Sequence, residues 1–200
     1  MGINSELNRR IEEVKKLKSD TLNLSNLGIT NHQLDTVPAL FNMGNAIRVV
    51  DLSNNNLTHF PWFLTSHINL EVLYLDDNFI TEIPDHITIF SRLQRLFVFN
   101  NQLEKIPEVL GSLTNLKGLG LGNNKIEQIP DTIGNLKNLE FLYLDFNRLK
   151  KLPIKINTLE NLEVLCINDN LFSDLSFLEN QMFNLSFLSY QNNLLNTKVS

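Results

Sequence analysis

Leucine recurs through this chain with a period of 23 residues, and that period constrains the fold more than any other feature. Most copies carry the pattern L-x-x-L-x-L-x-x-N-x-L followed by I-P-x-x-I-x-x-L. A unit this short cannot bury its apolar face alone, so the copies must stack on one another into a continuous solenoid. Seven successive copies begin at Ile47, Leu70, Leu93, Leu116, Leu139, Leu162 and Leu185.

The template predicts one strand per copy. Repeat positions 4 and 6 are apolar and share one face of a strand, so positions 3, 5 and 7 point to the other face. Strands of successive copies then form one parallel sheet, which lines the concave side of the solenoid. The six prolines stand at position 15, which predicts an extended return segment. Position 9 is asparagine, whose amide can bond the backbone where the chain leaves the strand: Asn55, Asn78, Asn101, Asn124, Asn147, Asn170 and Asn193.

Composition excludes several other classes of protein. The chain has 37 leucines and 29 asparagines but only two alanines, which argues against a helix bundle. Its formal net charge of −5 argues against broad binding to nucleic-acid backbones. A single cysteine excludes an internal disulfide framework and a cysteine-rich zinc site. The sequence has no apolar run of the roughly 18 residues that a membrane helix needs and no secretory signal, so we expect a cytoplasmic protein without a membrane span.

The two ends depart from the template. Residues 1–18 carry an apolar stripe at helical spacing, which we expect to cap the first repeat: Leu7, Ile11, Val14 and Leu17. Residues 19–200 then form the repeat domain, with about eight copies of which the last is truncated. The first copy is irregular and has about five extra residues at 31–35. No polar cap is recognisable after Leu195, so exposed core leucines are expected at that end.

These repeats resemble the leucine-rich repeat family, in the intracellular 23-residue form of Ras-suppressor-like and Scribble-like proteins. The segment N-L-S-N-L-G-I at residues 23–29, preceded by the helix, is similar to the start of those proteins. The resemblance implies an α/β repeat fold: a right-handed horseshoe with a parallel concave β-sheet and an N-terminal helical cap. It also implies a protein-binding role in signalling or scaffold assembly.

The concave face combines bare glycines with aromatic rings. The fifth strand has glycine at three alternate positions, and aromatic residues rise from the strands on both sides. Exposed rings have no folding rationale where the other face already fills the core, and central aromatic anchors are common in protein interfaces. The alternative is that the rings only cover one another and the neighbouring strands. We predict an open trough with a glycine floor that grips a partner through Tyr74, Asp76, Asp77, Arg95, Phe97, Phe99, Gly118, Gly120, Gly122, Phe141, Tyr143, Asp145 and Phe146.

If the trough is open, a leucine at Gly120 should fill it and abolish binding with little change in melting.

The same face carries nine acidic and three basic residues, a net charge of −6. We therefore expect a partner protein with a basic and apolar segment. The alternative is that these charges only keep the protein in solution.

Motifs for catalysis are lacking in the sequence. The G-L-G-L-G segment at residues 118–122 does not have the spacing of a nucleotide-binding loop, and it lies within a strand. The four histidines lie off the strand face, which argues against a metal site and leaves Cys166 as a plain exposed side chain. We therefore predict no enzyme activity, no cofactor and no metal. Trp62 and Phe63 lie on the convex side, where we expect both to pack against the inserted segment of the first repeat.

The function that follows is a non-enzymatic adaptor or scaffold, which presents a rigid concave face to its partner. The alternative is a constitutive subunit of a larger complex, held also through its uncapped C-terminal end. An enzyme would need catalytic machinery beyond these 200 residues.

Overall fold

Eight strands form a single parallel sheet in chain order, with each strand paired to the next at the same repeat position. The computed structural model describes residues 2–178 and 184–195. The strands are β1 (Thr21–Asn23), β2 (Val49–Asp51), β3 (Val72–Tyr74), β4 (Arg95–Phe97), β5 (Gly118–Gly120), β6 (Phe141–Tyr143), β7 (Val164–Cys166) and β8 (Phe187–Ser189).

The core lies directly behind this sheet. Leu73 at position 4 and Leu75 at position 6 have no exposed surface, and the equivalent leucines of the neighbouring copies are equally buried. Each such side chain contributes about 1.5–3 kcal/mol by leaving water. Because every copy repeats the same apolar positions, the core is continuous from one repeat to the next, as the period predicted.

The convex side consists of short 3₁₀ helices. Five prolines at position 15 directly precede them in extended conformation, for example Pro107 with φ −70° and ψ 142°. Successive returns pack closely: a Cβ at Gly111 would lie 2.3 Å from the carbonyl oxygen of Thr132, so that position requires glycine. The 3₁₀ helices span Gly44–Ala46, Trp62–Ser66, Asp85–Ile89, Glu108–Ser112, Asp131–Asn135, Ile154–Thr158 and Ser176–Leu178.

The asparagines at position 9 form the backbone-bonded ladder that the sequence predicted. The Nδ2 of buried Asn101 donates to the carbonyl oxygens of Leu75 at 2.9 Å and of Phe99 at 2.8 Å. Its Oδ1 accepts the backbone N–H of Ile80 at 2.9 Å. Equivalent bonds recur in the neighbouring copies, for example at Asn124. Each amide thus ties one copy to the preceding one where the chain leaves the strand.

The first repeat is covered by helix α1 (Ile3–Leu17). Leu7 and Ile11 are buried against it, and Arg10 donates to the carbonyl oxygen of Ser25 at 2.9 Å. Leu17 is 67 % exposed, so its predicted place in the apolar stripe is wrong. It lies in the last helical turn, where Lys18 in the left-handed conformation ends the helix and directs the chain toward β1.

The inserted segment of the first repeat folds into helices α2 (Asn31–Asp35) and α3 (Pro38–Phe41). Leu34 and Leu40 on these helices join the core. Phe63 is fully buried and packs edge-on against Phe41, with 6.5 Å between ring centroids. The expectation for Phe63 is therefore confirmed.

At β8 the core is less completely covered. Leu188 is only partly buried, whereas Leu165 on β7 has no exposed surface. Phe187 and Leu194 are 54 % and 61 % exposed. The end of the assigned repeat domain, residues 196–200, lies outside the described residues. Over the part of the chain that the structure describes, no helix has the length and apolar character to cross a membrane.

Candidate functional site

The three glycines of the fifth copy lie beneath aromatic rings instead of forming the floor of an open trough. Gly118, Gly120 and Gly122 are all buried. A Cβ at Gly120 would lie 2.3 Å from Cε2 of Phe99 and 2.6 Å from Cδ1 of Phe97, which shows that both rings lean across β5. The predicted open trough is therefore wrong. Glycine leaves space on the strand, and the phenylalanine rings fill that space because doing so removes them from water.

Four aromatic side chains form a continuous row over this part of the sheet, and we name them the aromatic platform. Their ring centroids are separated by 5.4 Å between Tyr74 and Phe97, 5.9 Å between Phe97 and Phe99, and 5.9 Å between Phe99 and Tyr143. The first two pairs are stacked, with interplanar angles of 20° and 17°. All four residues remain half-buried. The rings thus cover one another, as expected if they pack on neighbouring strands, and each residue keeps part of its surface exposed to solvent.

The other predicted apolar anchors lie beside this platform. Phe141 is half-buried on β6, in register with Gly118, and makes no ring contact with the four platform residues. Arg95 on β4 is exposed, and its Cγ lies near Gly118. Phe146 is 56 % exposed and follows β6 at the turn. The structure therefore places the predicted residues on one face, with Phe146 at its edge.

Phe146 has an uncommon backbone conformation. Its φ is +54°, in the left-handed region, which is unfavourable for a bulky side chain. At the same repeat position the other copies also have positive φ, but their residues are asparagine or aspartate, which tolerate it: Asn26, Asn54, Asp77, Asn100, Asn123, Asp169 and Asn192.

Phe146 also interrupts a ladder of side-chain hydrogen bonds. Asn123 donates to Asn100 and Asn100 to Asp77, both at 2.7 Å, whereas the ring of Phe146 can neither accept nor donate such a bond. Position 8 carries a sequence signal for this conformation, since Asn and Asp recur there. The prediction of Phe146 as a site residue rested on its aromatic ring alone and did not use the recurrence of Asn and Asp at this position.

Most carboxylates on the concave face have no cation beside them. Glu71 pairs with Arg48 at 2.7 Å and Glu140 with Lys117 at 3.6 Å. Within residues 2–178 and 184–195, none of the other seven acids of this face forms an ion pair, and neither does Arg95: Asp20, Asp51, Asp76, Asp77, Asp145, Glu163 and Asp169. The uncompensated charge of the face is therefore strongly negative.

Two of these carboxylates are partly withdrawn from water. Burial raises the pKa of Asp76 to about 6, and the negative charges of Asp77 and Asp51 act in the same direction. Burial also raises the pKa of Asp145, with a contribution from Asp169. Asp76 accepts the backbone N–H of Phe99 at 2.8 Å, and Asp145 accepts that of Asn168 at 2.8 Å. The sequence did not predict either pKa shift, because the burial of these carboxylates depends on how the rings and turns of the neighbouring strands fill space.

Two further expectations are corrected by the structure. Cys166 is 8 % exposed and therefore buried, because it sits between the neighbouring strands and their side chains. Burial and the charge of Asp145 raise the pKa of its thiol to about 11, so it is not a nucleophilic thiolate at neutral pH. Trp62 is 59 % exposed, and its ring lies edge-on to His86 of the following copy at 5.4 Å, so it is not buried as Phe63 is. In the described residues, no group of three or more His, Cys, Asp or Glu side chains is arranged to hold a metal ion.

Comparisons with known proteins agree with this architecture. Residues 108–194 match a family described as a leucine-rich repeat region. Residues 46–66 and 69–89 match the leucine rich repeat. The fold and these matched repeats together define a leucine-rich repeat solenoid. A search of curated proteins gives no match.

Solved structures of similar fold come from bacteria and plants. A leucine-rich repeat protein of Leptospira interrogans is 27 % identical, with a TM-score of 0.62 over 79 % of this chain and 46 % of its own. The plant peptide hormone receptor RGFR1, in complex with RGF2, is 26 % identical, with a TM-score of 0.67 over 78 % of this chain and 26 % of its own. An internalin C2 of Listeria monocytogenes is 22 % identical, with a TM-score of 0.66 over 92 % of both chains. The chain thus spans less than half the length of the first two.

Proposed function

We propose that this protein is a non-enzymatic adaptor or scaffold in the cytoplasm, of the intracellular 23-residue type, and that its concave face binds a partner protein. The observation that carries the proposal is the aromatic platform with unpaired carboxylates beside it. A surface that only had to be soluble would not combine a row of half-buried rings with partly desolvated acids. One similar structure is a plant peptide hormone receptor in complex with RGF2, which supports the use of such a solenoid for binding a polypeptide.

The partner best suited to this face carries a basic and apolar segment. The platform offers apolar contact area, and Phe146 offers a protruding anchor at its edge. Aromatic anchors at the centre of an interface commonly account for most of the binding free energy. The excess of carboxylates attracts a basic segment and disfavours an acidic one. Because the sheet is already formed, little conformational entropy is lost on binding.

Affinity capture with matched variants tests this proposal. Phe146→Ser should abolish capture of the specific partner from the native cell, because it removes an exposed apolar anchor. Trp62→Ser, which removes a ring of similar exposure from the convex side, should leave capture unchanged. If the convex variant loses the partner and the concave variant keeps it, the concave face is not the binding site.

A second candidate function rests on the exposed side chains at β8. Phe187, Tyr190 and Leu194 are 54 %, 44 % and 61 % exposed on the last described repeat. Such a patch suits a constitutive subunit of a larger complex, held at that end. The solution mass separates the two functions: a monomer that binds its partner reversibly favours the adaptor, and a stoichiometric complex that survives purification favours the subunit.

A further inference from the structure

We propose that the partner presents an arginine, whose guanidinium stacks on Phe99 and pairs with Asp145, with Asp76 supplying further negative charge from the other side. This inference rests on the proposed function and narrows the chemistry of the partner. The inference does not rest on negative charge alone. It also requires the ring of Phe99 and the glycine strand beside it.

The ring of Phe99 provides a flat surface at this point. It covers two glycines, since a Cβ at Gly122 would lie 3.0 Å from Cδ1 of Phe99 and a Cβ at Gly120 would lie 2.5 Å from its Cζ. The ring therefore lies across β5, and the residue remains only half-buried. A planar cation stacks favourably on such a ring.

The two carboxylates stand on either side of that ring. Asp76, Phe99, Gly122 and Asp145 occupy the same repeat position in four successive copies, so they follow one another across the sheet. Strands lie about 4.8 Å apart, which places the ring over β5 one strand away from Asp145. Position 7 of the intervening copy is Gly122, so that position adds no side chain between the ring and Asp145; the ring of Tyr143, two residues before Asp145, contacts the ring of Phe99.

Both carboxylates are held in place and lack a cation. Backbone N–H groups fix their orientation, and Asn168 donates its side-chain Nδ2 to Asp145 as well, at 2.8 Å. In the described part of the chain no lysine or arginine pairs with either. Burial raises the pKa of both groups, which means that their charged forms are destabilised in the free protein. A cation from the partner would relieve that cost.

Arginine suits this arrangement better than lysine. The guanidinium is planar and weakly hydrated, so it can stack on the ring and donate two parallel hydrogen bonds to a carboxylate. The lysine ammonium is compact and strongly hydrated, so it loses more on leaving water and cannot stack. The geometry therefore predicts discrimination between two residues of equal charge.

Three matched peptides test the inference directly. Acetyl-Gly-Gly-Arg-Gly-Gly-amide, its lysine version and its uncharged citrulline version are titrated into the full chain and followed by NMR. The arginine peptide should shift the amide signals of Gly120, Gly122 and Asn168 and the ring signals of Phe99. It should bind about five- to tenfold more tightly than the lysine peptide, the size expected for one stacked cation. The citrulline peptide should not saturate.

Variants assign the effect to its residues. Asp145→Asn should weaken arginine binding about tenfold, because it removes the carboxylate that pairs with the guanidinium, and Asp76→Asn should weaken it less, because Asp76 supplies only further negative charge. Phe99→Leu should keep the apolar contact but remove the preference for arginine over lysine. Glu163→Gln is the matched control: it removes one negative charge from the same face, away from the ring, and should leave the preference unchanged.

Binding of the arginine peptide should also weaken on going from pH 7.5 to pH 5, as Asp76 gains a proton. The pH response of Asp76→Asn should be reduced. The other titratable or charged groups around this position are Asp51, Tyr74, Asp77, Arg95, Lys117, Glu140, Tyr143, Asp145, Cys166 and Asp169.

Equal binding of the arginine and lysine peptides, or signal changes confined to other parts of the face, would overturn the inference. The proposed function is tested separately: it is wrong if substitutions on the concave face do not affect capture of the partner. A partner that depends on Phe146 but tolerates replacement of all its arginines by lysine would overturn the arginine inference and leave the proposed function intact.

Discussion

Phe146 has a backbone conformation that is unfavourable for its side chain. Its φ of +54° suits the asparagine or aspartate found at the equivalent positions, and its ring interrupts their hydrogen-bond ladder. A left-handed conformation costs a residue with a Cβ roughly 1–2 kcal/mol. The ring is 56 % exposed, so burial does not offset that cost. This strain, in an exposed aromatic residue, supports the proposal that the ring contacts a partner.

Phe146→Asn should therefore stabilise the protein by about 1 kcal/mol while it weakens partner capture. Asparagine tolerates the conformation and can accept a hydrogen bond in the ladder. Chemical denaturation measures the first effect and affinity capture the second. The reverse change in the adjacent copy, Asn123→Phe, should destabilise by a similar amount, since Asn123 has φ +52°. A loss of stability in Phe146→Asn would contradict this account.

At the scale of the repeat element, each buried asparagine of the ladder forms hydrogen bonds with several backbone groups. Asn101 accepts the backbone N–H of Ile80 and donates to the carbonyl oxygens of Leu75 and Phe99. Each of these two carbonyls also accepts a second N–H, from the side chain of Asn78 and from the backbone of Asp77 respectively. Asn101→Ala therefore removes the acceptor of the Ile80 N–H, and a buried unsatisfied group costs about 1–3 kcal/mol.

We expect Asn101→Ala to destabilise the protein by about 1–3 kcal/mol, measured by urea unfolding. The control is Asn115→Ala: this side chain is exposed and donates to the carbonyl oxygen of Ser91 at 2.7 Å, so the change should cost less than about 1 kcal/mol because water replaces that hydrogen bond. Equal losses in the two variants would mean that the ladder adds nothing beyond surface hydrogen bonding.

The glycine strand gives a second prediction at this scale. Gly120→Leu should lower stability by about 1–3 kcal/mol, because both platform rings must move to admit the new side chain. Gly118→Ala is the control, since a Cβ there would lie 3.5 Å from the nearest atom, an ordinary contact. Thermal melting of the two variants checks this. An unchanged melting temperature for Gly120→Leu would mean that the space above Gly120 is open, contrary to the structure.

At the scale of the whole molecule, two buried titratable groups give stability opposite responses to pH. His67 is fully buried in the core, and burial lowers its pKa below 6.5. The unfolded chain therefore takes up a proton before the folded one, and stability is lost as the pH falls below about 6.5. Asp76 has a raised pKa of about 6, so its folded form favours the proton, and stability is lost as the pH rises from about 4 through 6.

Asp76→Asn should accordingly be more stable than the natural protein at pH 7 and equal to it at pH 4, by urea unfolding at both pH values. The gain in stability and the loss of arginine binding would then come from the same carboxylate. His67→Leu, which places at this position the residue found in the fourth, fifth and sixth copies (Leu113, Leu136 and Leu159), should remove the loss of stability below pH 6.5. If the difference in unfolding free energy between Asp76→Asn and the natural protein does not change with pH, Asp76 is not desolvated.

The sequence by itself determined the solenoid, because a period of 23 residues with leucine at two alternating positions admits only stacked strands with a common buried face. It also determined the asparagine ladder and placed the aromatic and acidic residues on one face. The tertiary structure alone decided that the rings of Phe97 and Phe99 lie across the glycines, that Leu17 and Trp62 are exposed, and that Cys166 is buried. These outcomes depend on how side chains of neighbouring copies share space. A one-dimensional pattern specifies which face a residue occupies, but the direction in which a side chain leans follows from the volume that its neighbours leave empty.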